Sequence, residues 1–167
     1  MSTPAFIRKP FIWAAIALFA LTGCATGTVK VNEPTKRTVV SSVNLVAGDH
    51  TVPVEAQYVE TFEKKLRESL YMAKEPAFNF KEGEELSAVY KFVQLNEGSR
   101  AKRYFIGFGA GKGTLTIELD FVLKDGTKVG KVDVGGELSI GVFGGDFNTA
   151  VAKAAEEAAT YMRANFH

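Results

Sequence analysis

The sequence predicts an α+β domain: a two-layer sandwich with a mixed four-stranded sheet, in the order β-α-β-β-β-α, and both helices on one face. Three observations predict it. Leu115, Ile117, Leu119, Phe121 and Leu123 alternate with Thr114, Thr116, Glu118 and Asp120, which is the period of a half-buried strand. Tyr58, Val59, Phe62, Leu66 and Leu70 recur at intervals of three and four, the period of an amphipathic helix. Near the end, Phe147, Val151, Ala154, Ala155, Ala158 and Met162 form one face of a second helix, extended by Phe166, whose alanines let it lie close to a sheet.

Residues 1–23 read as a lipoprotein signal peptide. Arg8 and Lys9 supply the positive start, and Phe11 to Leu21 form an apolar stretch. That stretch is too short to span a bilayer, which needs roughly 20 residues. Leu21-Thr22-Gly23-Cys24 then resembles a bacterial lipobox. The resemblance implies cleavage between Gly23 and Cys24, with acyl chains on Cys24. Two or three acyl chains, at about 0.8 kcal/mol per buried methylene, anchor firmly. Ala25 follows the cysteine; the lack of aspartate there implies, for a Gram-negative source, export to the outer membrane with the domain facing the periplasm. Residues 24–37 are polar and unpatterned and are read as a flexible tether, which leaves 38–167 as a single domain.

Thr38 to Ala47 alternates and forms the first strand. Gly48-Asp49-His50-Thr51 turns, and Pro53 suits the first turn of a helix that continues to Ala73. Glu75-Pro76 ends it. Leu86 to Glu97 is the second strand, with Ala88, Tyr90 and Phe92 on one face and Val89, Val93 and Leu95 on the other. Asp125-Gly126 joins the third and fourth strands in a hairpin turn. The fourth strand runs to about Val142, and Gly135-Gly136 within it signals a bulge or the close approach of another backbone. Asp146 is a helix N-cap.

If the last three strands form a meander, the connection Gly98–Gly113, the connection Gly141–Asp146 and both helix amino ends collect at one edge of the sheet. With the tether entering the first strand from the other end, that edge is expected to lie opposite the point of attachment.

The 167-residue chain has 46% hydrophobic and 23% charged residues, the proportions of one ordinary globular domain. A net charge of +1 excludes a strongly basic nucleic-acid binder. Losing residues 1–23 removes Arg8, Lys9 and no acid, so the mature body is close to neutral. A single cysteine excludes an internal disulfide and a cysteine-based zinc cluster. His50 and His167 are the only histidines, and no carboxylate spacing completes a metal site around them. Gly107 to Gly113 is not a nucleotide loop, because Lys112 is followed by glycine and then by a strand rather than a helix. No nucleophile elbow is present, and Glu118 and Asp120 are routine on a wet strand face. The sequence therefore predicts no catalytic residues, no metal and no cofactor. Its candidate binding edge is Arg100, Arg103, Tyr104, Phe105, Phe108, Phe143 and Asp146.

Gly98-Ser99-Arg100-Ala101, the run Arg103 to Lys112, the turn Phe143-Gly144-Gly145 and the last helix resemble, over about residues 86–166, a bacterial lipoprotein family catalogued as domain of unknown function 4410. The resemblance implies a lipoprotein with one small α+β domain and carries no activity. The expected function is a membrane-anchored cell-envelope lipoprotein, held by acyl chains on Cys24, whose domain binds an envelope protein or component without catalysis. The alternative is a periplasmic ligand binder or enzyme using the same edge, with a deep pocket lined by Arg100, Arg103, Asp146 and His50.

Overall fold

The computed structural model describes residues 25–75, 77, 79–97, 113–138 and 146–167. Among them are six strands and two helices. In chain order these are β1 (Ala25–Glu33), β2 (Ser42–Ala47), α1 (Ala56–Tyr71), β3 (Lys81–Glu82), β4 (Leu86–Asn96), β5 (Gly113–Leu123), β6 (Lys128–Leu138) and α2 (Phe147–Phe166). The class is α+β, but the expected four-stranded sheet is corrected to a six-stranded mixed sheet in the order β1-β6-β5-β4-β2-β3. The meander β4-β5-β6 is antiparallel, and β2 runs parallel to β4 across the α1 crossover.

The two added strands are the edges. β3 is two residues long and pairs with Ser42 and Val43. β1 replaces most of the expected tether and pairs antiparallel with β6 from Ala25↔Leu138 to Glu33↔Lys131. Its alternation is real but weak. Ala25, Gly27, Val29 and Val31 stand opposite the core positions Leu138, Gly136, Val134 and Val132. The far end of α2 covers the strand only in part, so Val29 and Val31 remain 37% and 49% exposed. Residues 34–40 then cross beneath the end of α2 to reach β2. The Lys36 amide donates to the Val129 carbonyl at 2.8 Å, the Val40 amide donates to the Phe166 carbonyl at 2.9 Å, and the hydroxyls of Thr35 and Tyr161 share a hydrogen bond.

The core lies between one sheet face and both helices. From α1 it takes Tyr58, Phe62, Leu66 and Leu70, one every four residues. Phe62 lies against the rings of Tyr90 and Phe92. α1 starts at Ala56 rather than at Pro53, because Val52 and Val54 pack against the core from the extended chain. From α2 the core takes Phe147, Val151, Met162, Phe166 and five fully buried alanines. Those alanines meet β6 at Gly136, where a β-carbon would overlap the backbone carbonyl of Ala150. The Gly135-Gly136 signal therefore marks the close approach of a helix backbone. Gly126, at φ 86°, makes the hairpin turn between β5 and β6.

Bulges adjust two strands. In β4 the register shifts between Phe92 and Gln94, so Val93 is an extra residue and Leu95 pairs with Leu115 on the core side. Leu95 thus packs on the core, not on the face it would share with Val89 under strict alternation. In β6 a shift at Val129 buries both Val129 and Gly130.

Candidate functional site

The strand register defines one pole of the sheet. Asn96 pairs with Thr114 at the end of β4, Gly113 pairs with Leu138, and Leu138 pairs with Ala25. Both helices begin there. Tyr58 in the first turn of α1 meets Phe147 in the first turn of α2, edge to face, with ring centroids 5.2 Å apart. One turn on, Thr61 donates to Asn148 at 2.9 Å, and further along Lys65 pairs with Glu156 at 3.2 Å. The helices therefore run side by side from this pole towards the Asp125-Gly126 turn.

Of the candidate edge residues, Asp146 is described. Its Oδ1 accepts from the Asn148 amide at 3.0 Å, so it is the N-cap of α2. Arg100, Arg103, Tyr104, Phe105, Phe108 and Phe143, with Gly23 and Cys24, lie outside the described residues. Their attachment points, Glu97, Gly113, Leu138 and Asp146, all belong to the same pole. Ala25 belongs to it too. The expectation that this edge lies opposite the point of attachment is therefore corrected. β1 carries the chain from this pole down to the other end before β2 begins, so Ala25 opens the sheet at the pole where β4, β5 and β6 meet the two connections.

Electrostatically the pole is acidic among the described residues. Burial pushes the Tyr58 phenol up to about 12, and hydrogen bonding to Glu97 and the carboxylates of Glu97, Glu55 and Asp146 act in the same direction. Helix amino ends flanked by three carboxylates are poor anion sites on their own. His50 does not join Asp146. Its ring lies edge-on to Phe92 at 5.4 Å, and its Nδ1 accepts from the Phe92 amide at 3.4 Å.

Two other places bring ionisable side chains together. On the open sheet face, the Glu118 carboxylate sits between Lys91 at 2.6 Å and Lys131 at 2.7 Å. Asp120 pairs with Lys128 at 2.9 Å, and Lys128 pairs with Glu33 on β1 at 2.9 Å. Burial raises the Glu118 pKa, but the two lysines outweigh it and hold the carboxyl below its usual range. A general acid needs the opposite shift. At the far pole an open hollow of about 490 Å³ is lined by Val39, Val40, Ser41, Asn79, Lys81, Glu85 and His167. Its Glu85 carboxylate is spent on the Ser41 and Ser42 backbone amides, which lower its pKa. Among the described residues no three His, Cys, Asp or Glu side chains group as a metal would need, and no helix is long and apolar enough to cross a membrane.

The fold is similar to that of solved structures of PelC from Paraburkholderia phytofirmans. A dodecamer of a single-substitution variant superposes with a TM-score of 0.51 at 11% identity, covering 85% of this chain and 99% of that one. A second dodecamer, in another crystal form, gives 0.48 at 11% identity, covering 80% and 96%. The likeness is one of fold. No curated protein matches the chain. The profile of a family described as Domain of unknown function (DUF4410) matches residues 44–141. The match starts at β2, well before the resemblance read from the glycine-aromatic run, and stops short of α2. It spans more than half of the chain, and the protein belongs to that family.

Proposed function

We propose that the protein is a membrane-anchored cell-envelope lipoprotein whose domain is a non-catalytic module for binding an envelope protein or component. The observation that carries this reading is Leu21-Thr22-Gly23-Cys24 after a short apolar stretch with Arg8 and Lys9 before it. Acyl chains on Cys24 are the membrane partner, and Ala25 as the next residue favours the outer membrane with the domain in the periplasm. Two structural features support a binding rather than a catalytic role. The partly buried carboxylate Glu118 is neutralised by lysines, and Asp146 is committed to a helix cap.

Replacing Cys24 tests the anchor. The wild-type protein is expected in the membrane fraction, labelled by a palmitate analogue, and Cys24→Ser is expected unlabelled and released. A Cys24→Ser protein that stays in the membrane fraction would overturn the reading. Photo-crosslinking from Tyr104 and Phe108 in intact cells then tests the binding role, with a specific adduct as the expected product and none as the contrary one.

A second reading, assembly of identical copies, is favoured by β1, an edge strand among the described residues, with Val29 and Val31 exposed. The fold relative in the stronger superposition is itself a dodecamer. The mass of the detergent-solubilised particle separates one copy from many.

A further inference from the structure

We infer that residues 25–37, β1 with the crossing segment behind it, form a strap that opens from the folded body as one unit while the rest of the domain stays folded. The observation that carries this is burial. From Ala25 to Val39 no residue is buried, and the first buried residue of the described chain is Val40. Within that stretch Ala25, Gly27, Thr35 and Thr38 are half-buried and the others are exposed. β5, by contrast, buries every second residue from Gly113 to Phe121. β1 is held by its backbone ladder to β6 and by contacts at the surface.

Those contacts can be given up without stranding a polar group. Asn32 donates to Asp133 at 2.6 Å and Lys128 reaches Glu33 at 2.9 Å, both at the surface. Lys128 keeps Asp120 at 2.9 Å when Glu33 leaves. The hydroxyls of Thr35 and Tyr161 meet at a part-buried site, and the Lys36 amide reaches the Val129 carbonyl at 2.8 Å. On opening, the outer backbone groups of β6 face water instead of β1, so they exchange one partner for another. The freed residues regain backbone entropy.

The remaining elements are fastened to one another without the strap. α2 is tied to α1 through Tyr58–Phe147, Thr61–Asn148 and Lys65–Glu156. It is tied to β5 by the stacking of Tyr161 on Phe121, and to β6 by the close approach of Ala150 to Gly136. β6, β5, β4 and β2 pair in order without β1. Opening bares the flank of Val132 and Val134, which stand opposite Val31 and Val29, and this keeps the closed form dominant. A ladder with little buried side-chain surface behind it opens at the low end of a protein's range of local stabilities.

Closed, the strap brings the chain to the body at Ala25. Open, the body is joined through Val40, at the end of the sheet that holds the Asp125-Gly126 turn. The 13 residues from 25 to 37, fully extended, span at most about 45 Å. With the proposed anchor at Cys24, opening converts a fixed attachment into an arm of that reach; the opening itself does not depend on the anchor.

Hydrogen exchange followed by NMR on the Cys24→Ser protein, as the cell processes it, tests the opening with neither acyl chains nor a native thiol present. The β1 amides bonded to β6 and the Lys36 amide are expected to share one protection factor, at least about 100-fold below that of the β5 amides. Their exchange is expected to depend less on urea, because less surface is exposed. A β-carbon at 135 would lie 3.8 Å from that of Thr28, the spacing of a disulfide. In the oxidised Thr28→Cys/Gly135→Cys variant, β1 protection is expected to rise to within about tenfold of β5, and reduction should reverse it. Equal protection of β1 and β5 without the lock would overturn the inference, since the strand would then open only with the whole domain. Protection rising steadily from Thr26 to Lys36 would also overturn it, as the fraying of a chain end. So would fast exchange of β1 that the disulfide leaves unchanged. None of these results bears on the anchor.

Discussion

Tyr58 shows how a single side chain reports on the pole. Its ring packs on Phe147, and its phenol keeps its proton because burial and the neighbouring Glu97 disfavour phenolate, raising its pKa to about 12. In an unfolded chain the same phenol titrates near 10. The folded state therefore holds the proton more tightly, and the resulting stability is fully present below pH 10 and is lost as pH rises from about 10 to 12. Tyr90, buried and donating to Glu63, is shifted in the same direction. Urea midpoints measured across that window are expected to fall less steeply for Tyr58→Phe than for the wild type. Equal slopes would show that Tyr58 titrates as if unfolded. At this scale the sequence is informative where burial follows from spacing: Tyr58, Phe62, Leu66 and Leu70 stand where their period puts them. It is silent on partners. Glu63 and Arg67 have the spacing of a helix ion pair, yet Glu63 takes the Tyr90 hydroxyl and Arg67 pairs with Glu82 at 3.1 Å. Tertiary neighbours outbid local ones because surface pairs along a helix contribute only about 0.2–0.5 kcal/mol.

The packing of α2 on β6 depends on Gly136. Five buried alanines on the helix and a glycine on the strand bring the two backbones together, and any β-carbon at 136 must displace the Ala150 carbonyl. Gly136→Ala is expected to cost about 1–3 kcal/mol in urea unfolding, the range for overpacking a filled core. Gly135→Ala is the internal comparison. Its new carbon would meet the movable Thr28 hydroxyl and should cost less. Equal losses at the two positions would contradict this packing. The double glycine was legible as a special place, and the alanine face as a close-packing helix. The meander strands were legible because a sheet with one dry face imposes strict alternation on β5. β1 was harder to read: Gly27 and Ala25 occupy two of its inward positions, and at a half-covered edge the pattern Val29, Val31 against Thr28, Lys30 is short. Leu95 was misplaced for another reason, since an inserted residue at Val93 exchanges the faces beyond it and a bulge leaves no mark in hydropathy.

For the molecule as a whole, one edge strand changes the orientation. Without β1, a chain entering at residue 38 would hang from the pole that holds the Asp125-Gly126 turn. With β1 the described chain enters the sheet at the pole where the two glycine-aromatic connections start and end. The gathering of helix starts and strand ends at that pole follows from connectivity alone and was legible. The side of the molecule to which Cys24 is joined was not, because it depends on where a weakly patterned segment pairs. The described part of the pole carries the carboxylates of Glu55, Glu97 and Asp146, while the cationic and aromatic residues expected there lie outside the described residues. The proposed role depends above all on the covalent state of residue 24. Intact mass measurement of the amino-terminal peptide from membrane-purified protein tests this most directly. A peptide beginning at Cys24 and carrying a diacylglyceryl thioether and an amide-linked fatty acid is the predicted result. An amino terminus at any other residue, or an unmodified Cys24, would contradict it.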